Sequence, residues 1–101
     1  MEKWADYCIS SVKYDSKHTH IVGVKVHEDK GDTVGNAEEW TRIQVVSARE
    51  RGRTFVTIFK GSDNQWHRGQ DVDILIVNRE KFIRTDRDQI AADNLEKLPE
   101  F

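Results

Sequence analysis

The chain has 101 residues, 37% hydrophobic and 34% charged, with a mean hydropathy of -0.74, which fits one small polar domain and leaves no room for two. Its one cysteine, Cys8, excludes an internal disulfide framework and a multi-cysteine zinc site. No apolar stretch has the length of a membrane span or the form of a signal peptide, so the expected setting is cytoplasmic. The formal net charge of -2 is unevenly spread: residues 1–41 carry five Lys and eight acids, residues 42–87 ten Lys or Arg and six acids, and residues 88–101 one Lys and four acids. A basic middle therefore sits between acidic ends. A mixed solvated surface is the simplest explanation; otherwise such a middle binds the acidic tail or meets an anionic partner.

Residues 5–14 are predicted as a strand, with Cys8, Val12 and Tyr14 on one face and Tyr7 and Ile9 on the other. Residues 20–28 form the clearest strand, Val22, Val24 and Val26 alternating with Gly23, Lys25 and His27, which implies one apolar and one wet face. The polar turn between them predicts an antiparallel hairpin. Residues 29–37 are a loop with a short extended piece at Thr33–Val34.

A helix is predicted over 42–51. Thr41 and Gln44 make a capping box, Trp40 and Val45 have the spacing of a hydrophobic staple, and Gly52 supplies the stop. Ile43, Val45 and Val46 are expected to face the sheet. Residues 53–60 carry apolar side chains on both faces, as a central strand would. Trp66 opens a short extended segment that Gly69 breaks. Residues 71–77 and 81–85 are strands joined by a tight turn at Asn78-Arg79-Glu80. The expected class is α+β: a single antiparallel, curled sheet in the order β-β-α-β-β-β-β, one short helix on it, and residues 86–101 as an extended C-terminal strap on a body of residues 1–85.

Several of these residues together resemble one family. They are Asp6-Tyr7, Ile9–Tyr14, Glu39-Trp40-Thr41-Arg42, Phe55-Val56-Thr57, Trp66, Gly69, Val72, Phe82–Thr85, and above all Asp93–Phe101. The chain resembles the small bacterial proteins grouped as domain of unknown function 3892. Arg79 departs from that pattern, since glycine is more usual after the turn asparagine. The resemblance implies a short, stand-alone protein and assigns no activity, ligand or catalytic residue.

No cofactor motif is present, and each catalytic constellation has a plain structural explanation. His18 and His20 share a face if extended, and His27 or His67 could complete a metal set, but no carboxylate or thiolate follows at ligand spacing. Cys8 on an inward face reads as an inert small hydrophobe. Asp71 and Asp73, placed on one face of one strand with Arg68 close by, could do acid–base work, and a solvated strand edge is the simpler explanation. A small hydrolase on these residues is accordingly the weakest reading.

The remaining surface signal is aromatic and basic: Trp66, His67 and Arg68 after one turn, Arg84 in the last hairpin, and Arg49, Arg51 and Arg53 around the helix end. Such surfaces bind nucleotides or single-stranded nucleic acid, although the negative net charge opposes it. The leading expectation is a non-enzymatic module that binds a protein partner, as a monomer or homodimer and without membrane contact. Nucleotide or nucleic-acid binding is the alternative.

Overall fold

The computed structural model describes residues 3–17, 20–31, 33–85, 95 and 98–101. Seven strands and one helix follow in the order β1 (Tyr7–Tyr14), β2 (Ile21–Glu28), β3 (Glu38–Thr41), α1 (Arg42–Glu50), β4 (Phe55–Lys60), β5 (Trp66–Asp71), β6 (Asp73–Val77) and β7 (Glu80–Arg84). The class is α+β, as expected. The sheet is not the single antiparallel one expected from the sequence. Five strands form a mixed sheet in the order β3-β2-β1-β4-β5, and β6 and β7 form a separate two-stranded sheet.

The parallel element has a clear cause. β2 is antiparallel to both β1 and β3, and β1 is parallel to β4 through Tyr7–Phe55, Cys8–Val56 and Ile9–Thr57. β3 and β4 therefore run in the same direction, two strands apart, and α1 is the crossover that parallel strands require. The four-residue β3 is mostly exposed and carries Glu38 and Glu39, charges that suit the approach to a helix as well as an edge strand, so its sequence does not mark this unit. The helix start itself is as expected: the Thr41 side chain accepts from the Gln44 amide, and the Gln44 side chain accepts from the Thr41 amide. At the other end Gly52 takes a φ of 92°. Its N–H reaches Arg49 O, and the Arg53 N–H reaches Ala48 O, which closes the helix with a reversed turn.

Strand irregularities reassign several faces. Between Ile9 and Ser11 the β1–β2 register shifts by one residue, a bulge that reverses the alternation. Ile9 and Val12 consequently share the helix-side core with Tyr7 and Tyr14, while Cys8 points to the opposite face, contrary to the simple period-two assignment. A second shift, between Lys13 and Tyr14, leaves Val22 exposed while Ile21, Val24 and Val26 are buried. Ile43 is 75% exposed rather than facing the sheet, and Val45, Val46 and Ala48 make the contact instead. β5 runs through Gly69 as a bulged strand. A Cβ at Gly69 would lie 2.2 Å from Thr57 Oγ1, so no side chain fits there without displacement.

The helix-side core combines Ile9, Val12, Val24, Val26, Val45, Val46 and Phe55 with Val72, Ile83 and Leu95, and Trp40 packs partly buried against it. Tyr7 and Phe55 stack with ring centroids 5.3 Å apart, and Tyr7 and Trp40 lie 4.9 Å apart. The other face carries a smaller cluster of Ala5, Cys8, Val56 and Ile58, edged by Trp4, Val34 and Trp66. Of the strap, Leu95 is fully buried and Pro99–Phe101 lies along β1; residues 86–94, 96 and 97 lie outside the described residues.

Candidate functional site

The smaller face of the sheet contains a buried polar network. Ser10, two residues after Cys8, lies on the same face, and its Oγ lies 2.7 Å from His27 Nε2, while His27 Nδ1 lies 2.8 Å from Gly35 O. A carbonyl can only accept, so Nδ1 donates to Gly35, and in that tautomer the Ser10 hydroxyl donates to Nε2. Next to this pair, Asp29 is 3% exposed and accepts from the amides of Trp4, Ala5 and Gly31. Strand alternation predicts a wet face for His27. The returning loop covers it through Gly35, and Trp66 lies against its ring with centroids 5.3 Å apart.

A serine hydrogen-bonded to a histidine is the core of an activated nucleophile. Here it acts as a clamp. Ser10 and His27 are both buried, and Asp29 is committed to backbone amides rather than to the imidazole. Cys8 is no better placed for chemistry: burial, reinforced by the negative charge of Asp29, pushes its thiol up to about 12. A neutral thiol is a poor nucleophile.

Elsewhere the described residues line further cavities. One is a groove of about 400 Å³ between α1 and the β6–β7 turn. Ile43, Val46, Ser47 and Glu50 form one wall, and Arg79, Glu80 and Lys81 the other, with Arg42 at one end. Its charges are not equivalent. Lys81 Nζ sits 2.5 Å from Glu50, and Glu80 lies 2.8 Å from His20 Nε2. The Arg42 guanidinium donates to Lys81 O and stacks over Phe82 at 5.7 Å. Arg79 makes no hydrogen bond or ion pair with the other described residues, and its side chain is exposed. Its backbone is also unusual. Asn78 and Arg79 have φ of 51° and 70°, the left-handed pair that a two-residue hairpin turn demands and that Asn-Gly satisfies most easily.

A smaller cavity, about 230 Å³, is bounded by Trp4, Arg49, Thr54, Asp71 and Asp73. Asp71 and Asp73 thus line one space, but they end β5 and begin β6, strands of different sheets, not one face of one strand. Arg68 pairs with Asp71 at 2.6 Å and Arg49 with Asp73 at 2.9 Å, and no histidine lines the cavity.

Of the aromatic and basic residues singled out from the sequence, Arg49 and Arg68 both reach the smaller cavity, through Asp73 and Asp71. Trp66, His67 and Arg68 lie along β5, an edge strand of the five-stranded sheet. Trp66 packs on the smaller cluster with Lys60 5.2 Å above its ring, and His67 is held 3.0 Å from Asp63. Arg49, Arg51 and Arg53 are at the far end of α1, where Arg51 caps the helix. Arg84 is 3% exposed, so its side chain is no part of the surface. Among the described residues, no three His, Cys, Asp or Glu side chains come together as a metal site, and no helix is long and apolar enough to cross a membrane. His18 lies outside the described residues.

The groove was not legible as a site in the sequence. The one signal is Arg79, standing where a hairpin turn prefers glycine. A family model described as "Protein of unknown function (DUF3892)" matches residues 8–99. No curated protein and no solved structure matches the chain.

Proposed function

The chain belongs to the DUF3892 family, and we propose that it is a non-enzymatic protein-interaction module whose groove between α1 and the β6–β7 turn takes an acidic segment of a partner protein. The observation that carries this reading is Arg79. A non-glycine residue in the left-handed region costs on the order of 1 kcal/mol, and in this turn glycine would avoid that cost. What arginine adds is a charged side chain on the groove wall. Glu50 and Glu80 already have cationic or histidine partners, so the electrostatic balance of the groove favours an incoming carboxylate. The exposed Ile43 beside it offers an apolar contact that a lone anion would not use. Arg79 and Ile43 together therefore favour a peptide segment carrying both an acid and a branched apolar side chain.

Selection from a random peptide display library against the full chain tests this. The recovered sequences should pair Asp or Glu with a branched apolar residue, and their binding should fall at least about tenfold on Arg79→Gly or Ile43→Asp. Recovery of basic sequences, or equal binding to both variants, would reject the groove. The same protein distinguishes the nucleotide or nucleic-acid reading: salt-sensitive oligonucleotide binding that is lost on Arg68→Glu would favour that alternative.

A further inference from the structure

β4 pairs with β1 only at Tyr7–Ile9. Beyond that point the same side of β1 would present an open edge, and the chain fills it with its own residues. The Val12 amide donates to Pro99 O at 2.9 Å, and Val12 O accepts from the Phe101 amide at 3.0 Å, a parallel pairing centred on Val12 and Glu100. We propose that this strip of β1 is a receiving edge for an extended segment of another protein, and that residues 99–101 occupy it as an internal ligand.

The manner of occupation points this way. Leu95 is fully buried and holds the strap to the core, whereas Pro99, Glu100 and Phe101 are all exposed. Two backbone hydrogen bonds are the main-chain link of this tip to β1. The exposed segment Pro99–Phe101 can therefore open while Leu95 and Leu98 stay packed on the core, since local opening is cheapest in exposed segments. The edge also selects. Proline at the first position supplies the carbonyl that Val12 needs and has no N–H to leave unpaired. Two residues on, the aromatic ring lies over Gly23, its Cζ 3.7 Å from where a Cβ there would be, with Lys25 Nζ 4.9 Å from the ring centroid. The partner segment that fits is extended, parallel to β1, and carries a proline followed two residues later by an aromatic. This is β-strand addition with a cation over the ring. It is independent of the groove, which lies between α1 and the β6–β7 turn.

The test uses the full ¹⁵N-labelled chain and a synthetic peptide of residues 95–101, with a scrambled peptide beside it. In Phe101→Ala the internal tip is weakened, so the peptide should shift the amides of Val12, Gly23 and Lys25 and bind at least about fivefold more tightly than to the unmodified chain. Lys25→Ala should weaken that binding about two- to fivefold. Absence of those shifts, or equal binding of the scrambled peptide, would overturn the proposal. If Phe101→Ala does not fold, hydrogen exchange of the unmodified chain decides: the Val12 amide should exchange at least about tenfold faster than the β1 amides bonded to β2. Equal protection would show a permanent strand. A concentration-dependent dimer with the Val12 amide shifted would assign the edge to a second copy instead.

Discussion

On the helix side of the sheet, Ile9, Val12, Val24, Val45 and Phe55 meet other apolar side chains. On the opposite side, Cys8, Val56 and Ile58 share the space with Ser10, His27 and Asp29, whose polar atoms are held by the loop after β2 and by the amides of Trp4 and Ala5. The first region is specified by volume and the second by direction. Apolar packing tolerates repacking at similar volume, whereas a buried hydrogen-bond network fails when one member is lost. The difference explains why a chain with 37% hydrophobic residues can cover both faces of its central strands: a short loop pinned by hydrogen bonds substitutes for a second helix.

Removing one member from each face should break the comparison most visibly. Phe55→Ala deletes a ring that is 1% exposed and contacts Tyr7 and Trp40, and should cost about 3–5 kcal/mol in urea unfolding. His27→Ala should cost less, about 2–3 kcal/mol, and by a different route: the Ser10 hydroxyl and the Gly35 carbonyl lose their partner. The route is separable by a double-mutant cycle. Ser10→Ala and His27→Ala should couple by roughly 1 kcal/mol, while Phe55→Ala and His27→Ala should be additive. Additivity of the first pair would mean the hydrogen bond contributes nothing to holding the loop.

The smallest effect is at the start of β1. Asp6 accepts from the Thr54 amide at 2.9 Å, and that bond, more than any nearby charge, holds its carboxyl below the ordinary carboxylate range. A depressed folded value stabilises the fold above the unfolded carboxylate range, and this is lost as pH falls through the folded value. Asp6→Asn should therefore lower stability modestly near neutrality, with the difference from the unmodified chain vanishing as pH falls below about 4. A difference that persists undiminished in acid would assign the titration elsewhere.

The sequence revealed what is local. The capping box at Thr41 and Gln44, the Gly52 stop and the Asn78 turn each depend on residues within a few positions, and each formed as expected. Non-local features were hidden. The parallel pairing of β1 with β4 brings Tyr7 next to Phe55, and nothing in either strand states its partner. The bulge at Ser10 put Cys8 and Val12 on opposite faces, because a period-two reading has no place for an extra residue. Ser10 meets His27 across two strands, a contact between residues 17 apart that the pattern of neither strand states. At the candidate groove, turn chemistry indicated the oddity of Arg79, but its neighbour across the groove is a helix more than 25 positions earlier, and only the fold joins them.

The central functional claim is that Arg79 is kept for its side chain and at a cost to the fold. Urea unfolding of Arg79→Gly against the unmodified chain tests it most directly. Relief of the left-handed backbone should raise stability by about 0.5–1 kcal/mol with no change in the denaturant slope. An unchanged or lowered stability would mean that the arginine serves the hairpin itself, and the groove would lose its claim as a binding site.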